Sequence, residues 1–467
     1  MREDRENAEI RGGAITAPAA AAAEREGALQ RILTPLDGMA IIVGIVIGAG
    51  ILRTPGLIAG YLGDARWILL MWVLGGVVAA LSTMVFAEMA AMLPRAGGKY
   101  AYARAAFGDT AAFVAGWSEV LVTRGFSGAA KAVLIAEYLI LLGAGAPVPV
   151  LAGVIVIGFY LLHLGGLRAG KTFQNWTTAL KILVLLAIFG AAFAFGDGAS
   201  WRPGSSIAPA QGMLLGFALA YQSIAFTYYG WEEVVKMAEE VREPGRNLPR
   251  ILLGSAAAVA ALYLLINVAF MHALTPGEMA GSPLVARDAV AAGLGDAAGV
   301  AITVAGIGIL VSSLNVNFLA VPRVALGLAR DGLAPARLRG VSSRGTPVAA
   351  LTLEAALIFT LAVTGTFEQL IRFMMFCAMA VDGAIMIGLF VLRRRMPDAV
   401  RPYRMPGYPA LPALVVVAYA AILAIIIATQ PALALGGTAM LAALAAAGVA
   451  VTRWRARGAV AGGVAAK

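Results

Sequence analysis

Residues 36–63 read LDGMAIIVGIVIGAGILRTPGLIAGYLG. The stretch is long and apolar enough to cross a hydrocarbon core of about 30 Å as a helix, yet its middle is weak. Glycines at 44, 48 and 50 fall there, and Pro55 follows. Glycine costs about 1 kcal/mol against alanine inside a helix, and proline removes a backbone hydrogen bond. Gly48-Ala49-Gly50 thus marks a place where a spanning helix unwinds, or else a small-residue face for close helix packing. A second such stretch decides between the two. Residues 218–250, ALAYQSIAFTYYGWEEVVKMAEEVREPGRNLPR, set Tyr228-Tyr229-Gly230-Trp231-Glu232 at membrane depth. Two interrupted spans in corresponding positions of two halves point to an inverted-repeat transporter. Unwound backbone at the midplane is tolerated only where it lines a cavity. Freed N–H groups at a half-helix N-terminus suit a carboxylate, and freed carbonyls suit an ammonium. Together those needs describe an α-amino acid.

Working outward, the chain of 467 residues is 60% hydrophobic and 13% charged, about half the charge of a soluble domain. Apolar segments fall near 37–60, 67–93, 108–141, 147–166, 172–195, 211–237, 251–273, 297–328, 347–364, 367–392, 409–428 and 431–452. That predicts an all-α polytopic membrane protein of about twelve spans. None of these segments alternates as a barrel strand does. The segments at 108–141 and 297–328 exceed what a bilayer needs, so tilt or extension into solvent is expected. The formal charge of +10 is explained by placement. With the N-terminus inside, most Lys and Arg gather on one face, in the tail, at Arg95–Arg104, Arg168–Lys171, Lys236–Arg250, Arg330–Arg344, Arg393–Arg404 and beyond Trp454. Arg66, Arg202 and Arg287 lie on the other. The reading is N-in, C-in, in a bacterial inner membrane, with no nucleic-acid partner. One cysteine, Cys377, and two histidines, His163 and His272, leave no disulfide and no metal centre. No HExxH, GxSxG or paired histidines suggest an enzyme, and no sensory domain suggests a receptor.

Several separated motifs then fit one family. They are GIVIGAGILRTPG (44–56), LPRAGGKYAYARAAFGDTAAFVAGW (93–117), FTYYGWEEVVKMAEEVREPGRNLPR (226–250), SSLNVNFLAVPRVALGLARDGLAP (312–335) and LRRRMPDAVRPYRMPGYP (392–409). Over about residues 34–425 the chain resembles the amino acid–polyamine–organocation superfamily, most closely its L-amino-acid-transporter-like and related bacterial permeases. The resemblance implies the leucine-transporter-type fold, a 5+5 inverted repeat with discontinuous first and sixth helices and alternating access around a central site. It divides the chain into a cytosolic tail (1–33, read as disordered), a core of two repeats (34–196 and 211–395), two peripheral spans (396–455) and a C-terminal tail (456–467).

The resemblance also implies the site. Gly48, Ala49 and Gly50 would meet the substrate carboxylate through backbone N–H groups. Carbonyls of Val46, Phe226 and Tyr229 would meet its ammonium. With Ile47, Ile51, Gly230, Trp231 and Glu232 these complete the candidate binding stretches, and Phe226 is also the gating aromatic. Tyr229 stands where relatives often carry glycine, which should shrink the pocket and favour small or medium neutral substrates. Lys181 matches a lysine that replaces a sodium ion in sodium-independent relatives and links the first helix to Ser312-Ser313. It carries a coupling proton or serves as a fixed cation; the bland alternative is snorkelling to the interface. Glu232 would bind a cationic side chain, take up a proton or cap the second half-helix. Arg53 and Glu368 form an outer gate, or Arg53 only anchors the interface. Glu119, Arg124, Lys131 and Glu137 in the third span are read as structural pairings. The function expected is sodium-independent exchange or proton-coupled symport of amino acids, the alternative a cationic amino acid or polyamine antiporter. No cofactor is expected, and the assembly is read as a monomer or homodimer.

Overall fold

The computed structural model describes residues 31, 33–94, 98–164, 170–209, 211–342 and 346–464. Most of the tail read as 1–33 lies outside them, as do Arg95, Arg168 and Arg344. Helix α1 (Pro35–Val46) starts on Thr34, whose hydroxyl accepts from the Asp37 N–H while the Asp37 carboxylate accepts from the Thr34 N–H. This reciprocal cap, with proline at the first helical position, is a strong start signal. The helix ends at Val46, and α2 (Ala49–Leu62) resumes two residues later at a bend of 45°. The break therefore occupies Ile47 and Gly48, and Ala49 and Gly50 open the second half. Close approach explains the small residues. A Cβ on Gly48 would meet Ser313 Oγ at 2.9 Å, and one on Gly50 would meet Thr227 Cα at 2.6 Å.

The chain continues through α3 (Ala65–Met92), a short α4 (Lys99–Phe107), α5 (Asp109–Trp117), a π-helical stretch Ser118–Arg124 and α6 (Gly125–Leu141). Next come α7 (Val148–Leu164), α8 (Gly170–Phe195) and α9 (Met213–Tyr228). Tyr229–Glu232 form turns, with Gly230 at φ +116, a conformation that favours glycine. A 3-10 helix, Glu233–Glu240, replaces the second half of this span. Then follow α10 (Pro244–Ala273), the short α11 (Pro276–Gly281) and α12 (Val285–Leu294), α13 (Asp296–Arg330), α14 (Val348–Thr364), α15 (Phe367–Arg395), α16 (Ala410–Thr429) and α17 (Pro431–Val464). Among the described residues, each of the apolar segments read from the sequence falls mainly on helix, apart from the breaks at Ile47–Gly48 and Tyr229–Glu232. Among the described residues, 6 helices are long and apolar enough to span a membrane, and the bent pair α1–α2 makes a further span. The chain is a multi-pass membrane protein.

Two details differ from the sequence reading. The segment at 108–141 is not one uniform helix, because the π-helical stretch Ser118–Arg124 separates α5 from α6. The last helix runs to Val464, well past the end expected near residue 452.

Burial separates centre from rim. The apolar window of α15 is 67% buried, those of α16 and α17 only 17% and 22%. Leu70, Val73, Leu74 and Val77 on α3, and Leu180, Leu183 and Leu186 on α8, are exposed. An apolar surface of this kind belongs against lipid. Backbone clasps tie the two broken spans together at both ends. At the end where the chain begins, Leu33 N–H donates to the Glu240 carbonyl at 2.9 Å and Arg242 N–H to the Leu33 carbonyl at 3.0 Å. At the opposite end, Ile207 N–H donates to the Gly63 carbonyl at 2.9 Å, and Ser206 Oγ to Asp64 at 2.8 Å. Glu88, fully buried on α3, accepts from Arg393 Nε and Nη2 at 2.8 and 2.6 Å and from Met405 N–H at 2.7 Å. One carboxylate thereby fixes the segment after α15.

Candidate functional site

The two breaks face one another across a cavity of about 30 Å³. Ile45, Val46, Gly48, Ala49 and Gly50 line it from the first span, and Phe226, Tyr229 and Gly230 from the sixth. Thr123, Arg124, Ser127 and Lys131 line it from the third, Ser313 from α13 and Met374 from α15. Its size suits one or two waters. This conformation is therefore closed around its centre, and any solute must widen it.

Its chemistry follows from the breaks. The first N–H groups of α2, those of Ala49 and Gly50, have no partner within their helix and carry the positive end of its dipole. Ser313 Oγ is buried beside them with no hydrogen-bond partner among the described residues. On the acceptor side, the Phe226 carbonyl already receives the Tyr229 N–H at 3.1 Å. The Val46 carbonyl receives the Tyr263 hydroxyl at 2.8 Å. Each oxygen keeps a second lone pair. Thr54 and Thr227 hydroxyls meet at 2.8 Å and hold α2 to α9 beside the break.

The other candidate residues lie around this cavity in distinct places. Ile47 and Ile51 are fully buried in the apolar core. Trp231 packs edge-on against Phe86, with ring centroids 4.8 Å apart. Phe226 packs edge-on against Phe367 at 5.9 Å. Lys181 is buried and donates to the Gly44 carbonyl at 2.9 Å, tying α8 to α1 three residues before the break. Its head does not reach an interface as snorkelling would require. The Arg53–Glu368 gate is not formed. Glu368 pairs instead with Arg372, one turn on along α15, at 2.8 Å and accepts from the Tyr61 hydroxyl at 3.2 Å. Arg53 donates to the Ser282 carbonyl at 3.4 Å. The nearer partner on the same helix satisfies Glu368 at lower entropic cost.

Beneath the cavity, toward the end where the chain begins, lies a buried ionic network that the sequence reading largely missed. Lys99 Nζ reaches Glu232 at 3.1 Å, Asp382 at 2.9 Å and the Tyr229 hydroxyl at 2.5 Å. Arg124 pairs with Glu119 at 2.7 Å and with Glu233. Lys236 joins Glu119 at 2.5 Å and Glu233 at 2.8 Å. Ligand atoms of Glu119, Glu232 and Glu233 lie within 4.8 Å of one another, and each carboxylate has a cation within ion-pair distance, so the cluster reads as an ion-pair seal. Glu232 therefore faces Lys99 and does not line the cavity. The sequence did signal charges at membrane depth in the third span. It gave no sign that Lys99, in a short loop helix, folds back under the site.

Outside the spans, Asp64 caps α3 and accepts from Ser206 and from Arg66 N–H at 2.9 Å. The Ser206 hydrogen bond foremost holds its carboxyl below the usual carboxylate range.

Comparison with known proteins follows this geometry. A family profile described as amino acid permease matches residues 33–450. The serine/threonine exchanger SteT of Bacillus subtilis is 26% identical over 405 residues, 84% of this chain and 90% of its own length. The b(0,+)-type amino acid transporter 1 of Mus musculus is 27% identical over 390 residues, 81% of this chain and 79% of its own. The large neutral amino acids transporter small subunit 2 of Rattus norvegicus is 28% identical over 410 residues, 84% of this chain and 76% of its own.

Proposed function

The chain belongs to the amino acid permease family, and from that premise we propose that it carries small L-α-amino acids by sodium-independent exchange through alternating access. The observation that carries the reading is the cavity between two helix breaks, with free N–H groups on one side and carbonyls on the other. That arrangement matches the two ends of an α-amino acid. Lys181 supports sodium independence, because its ammonium sits on the Gly44 carbonyl beside the first break, where it serves as a built-in cation. The spans would number about twelve in a 5+5 inverted repeat, with both termini cytosolic in an inner membrane. The ionic network beneath the cavity would then be the inner seal, and Phe226 against Phe367 part of the outer one. The assembly is read as a monomer or homodimer.

Exchange is favoured over the antiport of cationic amino acids or polyamines by the position of Glu232. Its carboxylate is spent on Lys99 and presents no negative charge to the cavity. Tyr229 lines the cavity where relatives often carry glycine, which favours small or medium substrates, and the names of the relatives support neutral ones. The test is uptake of labelled L-serine and L-alanine into proteoliposomes loaded with the same amino acid or left empty, without sodium. Exchange predicts uptake at least tenfold faster into loaded vesicles. Equal uptake into empty vesicles under an inward proton gradient would replace exchange with symport.

A further inference from the structure

The cavity carries a charge that a zwitterionic substrate leaves unanswered. Two of its lining side chains are cations, Arg124 and Lys131, and none is a carboxylate. Arg124 is neutralised by Glu119 and Glu233. Lys131, a residue only 7% exposed, is not: its ammonium donates to Asn317 Oδ1 at 2.9 Å and to the Ser313 carbonyl at 3.5 Å, both neutral acceptors. Among the described residues no carboxylate comes within ion-pair distance of it. Glu354 on α14 is buried, does not line the cavity, and neither of its oxygens has a hydrogen-bond partner. A buried cation without a close counter-charge is costly, and Lys131 lines the cavity, where a solute can supply one.

The rest of the lining agrees. Ser313 Oγ is an unpartnered buried hydroxyl, and Thr123 and Ser127 add two more hydroxyls. The Tyr229 hydroxyl is turned to Lys99. Beyond the groups that hold an α-amino acid backbone, the site thus offers a cation and hydroxyl donors, the complement of a second carboxylate.

We propose that Lys131 is a specificity residue that pairs with the side-chain carboxylate of a short acidic amino acid, so that the substrate range extends from small neutral amino acids to aspartate. The inference rests on the transport reading above and adds a substrate class to it. A zwitterion would leave Lys131 on its neutral acceptors, whereas a substrate of net charge −1 compensates it fully. The reading names Lys131 and not Arg124, because Arg124 is already paired.

Aspartate and asparagine are nearly isosteric and differ in that charge, which makes the test direct. In proteoliposomes, unlabelled L-aspartate should inhibit labelled L-serine exchange at concentrations at least tenfold lower than L-asparagine does, and labelled L-aspartate should itself be exchanged. Lys131→Gln should lower the ratio of L-aspartate to L-serine exchange by tenfold or more, with size-exclusion chromatography showing that the variant is folded. Serine exchange with asparagine inhibiting as well as aspartate, or equal loss of both substrates in a monodisperse Lys131→Gln protein, would overturn the proposal and leave the transport reading standing. Exchange of no amino acid at all by the unaltered protein would overturn both.

Discussion

Gly50 has no room for a methyl group, because a Cβ there would lie 2.6 Å from the Thr227 backbone. The contact joins the second half of the first span to the first half of the sixth, so Gly50→Ala must push the two apart where the cavity lies. Overpacking of this kind costs about 1–3 kcal/mol. The expected outcome is a folded protein whose exchange rate falls at least tenfold, read by counterflow beside size-exclusion chromatography. Lys181 makes a different prediction. Its bond to the Gly44 carbonyl orients the helix end at the first break, so Lys181→Met should slow turnover severalfold or more with expression unchanged. Wild-type rates would assign Lys181 a purely structural role. Glu88 is a stability residue. Removing its charge by Glu88→Gln leaves Arg393 poorly paired and strips the Met405 N–H of its strong acceptor. Breaking a buried pair of this kind costs about 3–5 kcal/mol, which should appear as a clear fall in melting temperature.

At the scale of elements, the broken first span was legible because its cause is local. Glycine and proline weaken a helix wherever they stand, and the Thr34–Asp37 cap announces its start. The sixth span was legible from Gly230 for the same reason. What could not be read was the π-helical stretch Ser118–Arg124. Its sequence, SEVLVTR, carries no glycine or proline to mark a change of helix type, and the Glu119–Arg124 ion pair within it at 2.7 Å is seen only in the fold. Glu232 shows the same limit. Its meaning depends on Lys99, which lies more than a hundred residues earlier, and no local pattern encodes that pairing. Arg53 and Glu368 are apart in this conformation for a related reason: Arg372 is nearer to Glu368, and only the fold reveals which of two arginines is closer. If the network is the inner seal, Lys99→Met should loosen it. A cysteine placed at Ser127 in a Cys377→Ser background should then react at least severalfold faster with a thiol reagent applied from the cytosolic side. An unchanged rate would assign the seal to other contacts.

For the whole molecule, the apolar rim and the two clasps show how the halves of the broken spans are tied at both ends. The Asp64–Ser206 bond is the pH-sensitive member. Its carboxyl is held below the usual range by that bond, so its stabilisation is present above the unfolded-state pKa of about 4 and is lost as pH falls through the lowered folded value. Protection from hydrogen exchange in residues 199–209, corrected for the intrinsic rate at each pH, should fall below about pH 4, and Ser206→Ala should remove that fall. The central claim, that the two breaks together hold the amino acid, is tested most directly by equilibrium binding of labelled L-serine to detergent-purified protein, comparing the unaltered chain with Gly50→Ala and with Lys99→Met. Loss of binding in Gly50→Ala, with binding kept in Lys99→Met, is the predicted result. Full binding by a folded Gly50→Ala protein would contradict it and place the substrate elsewhere.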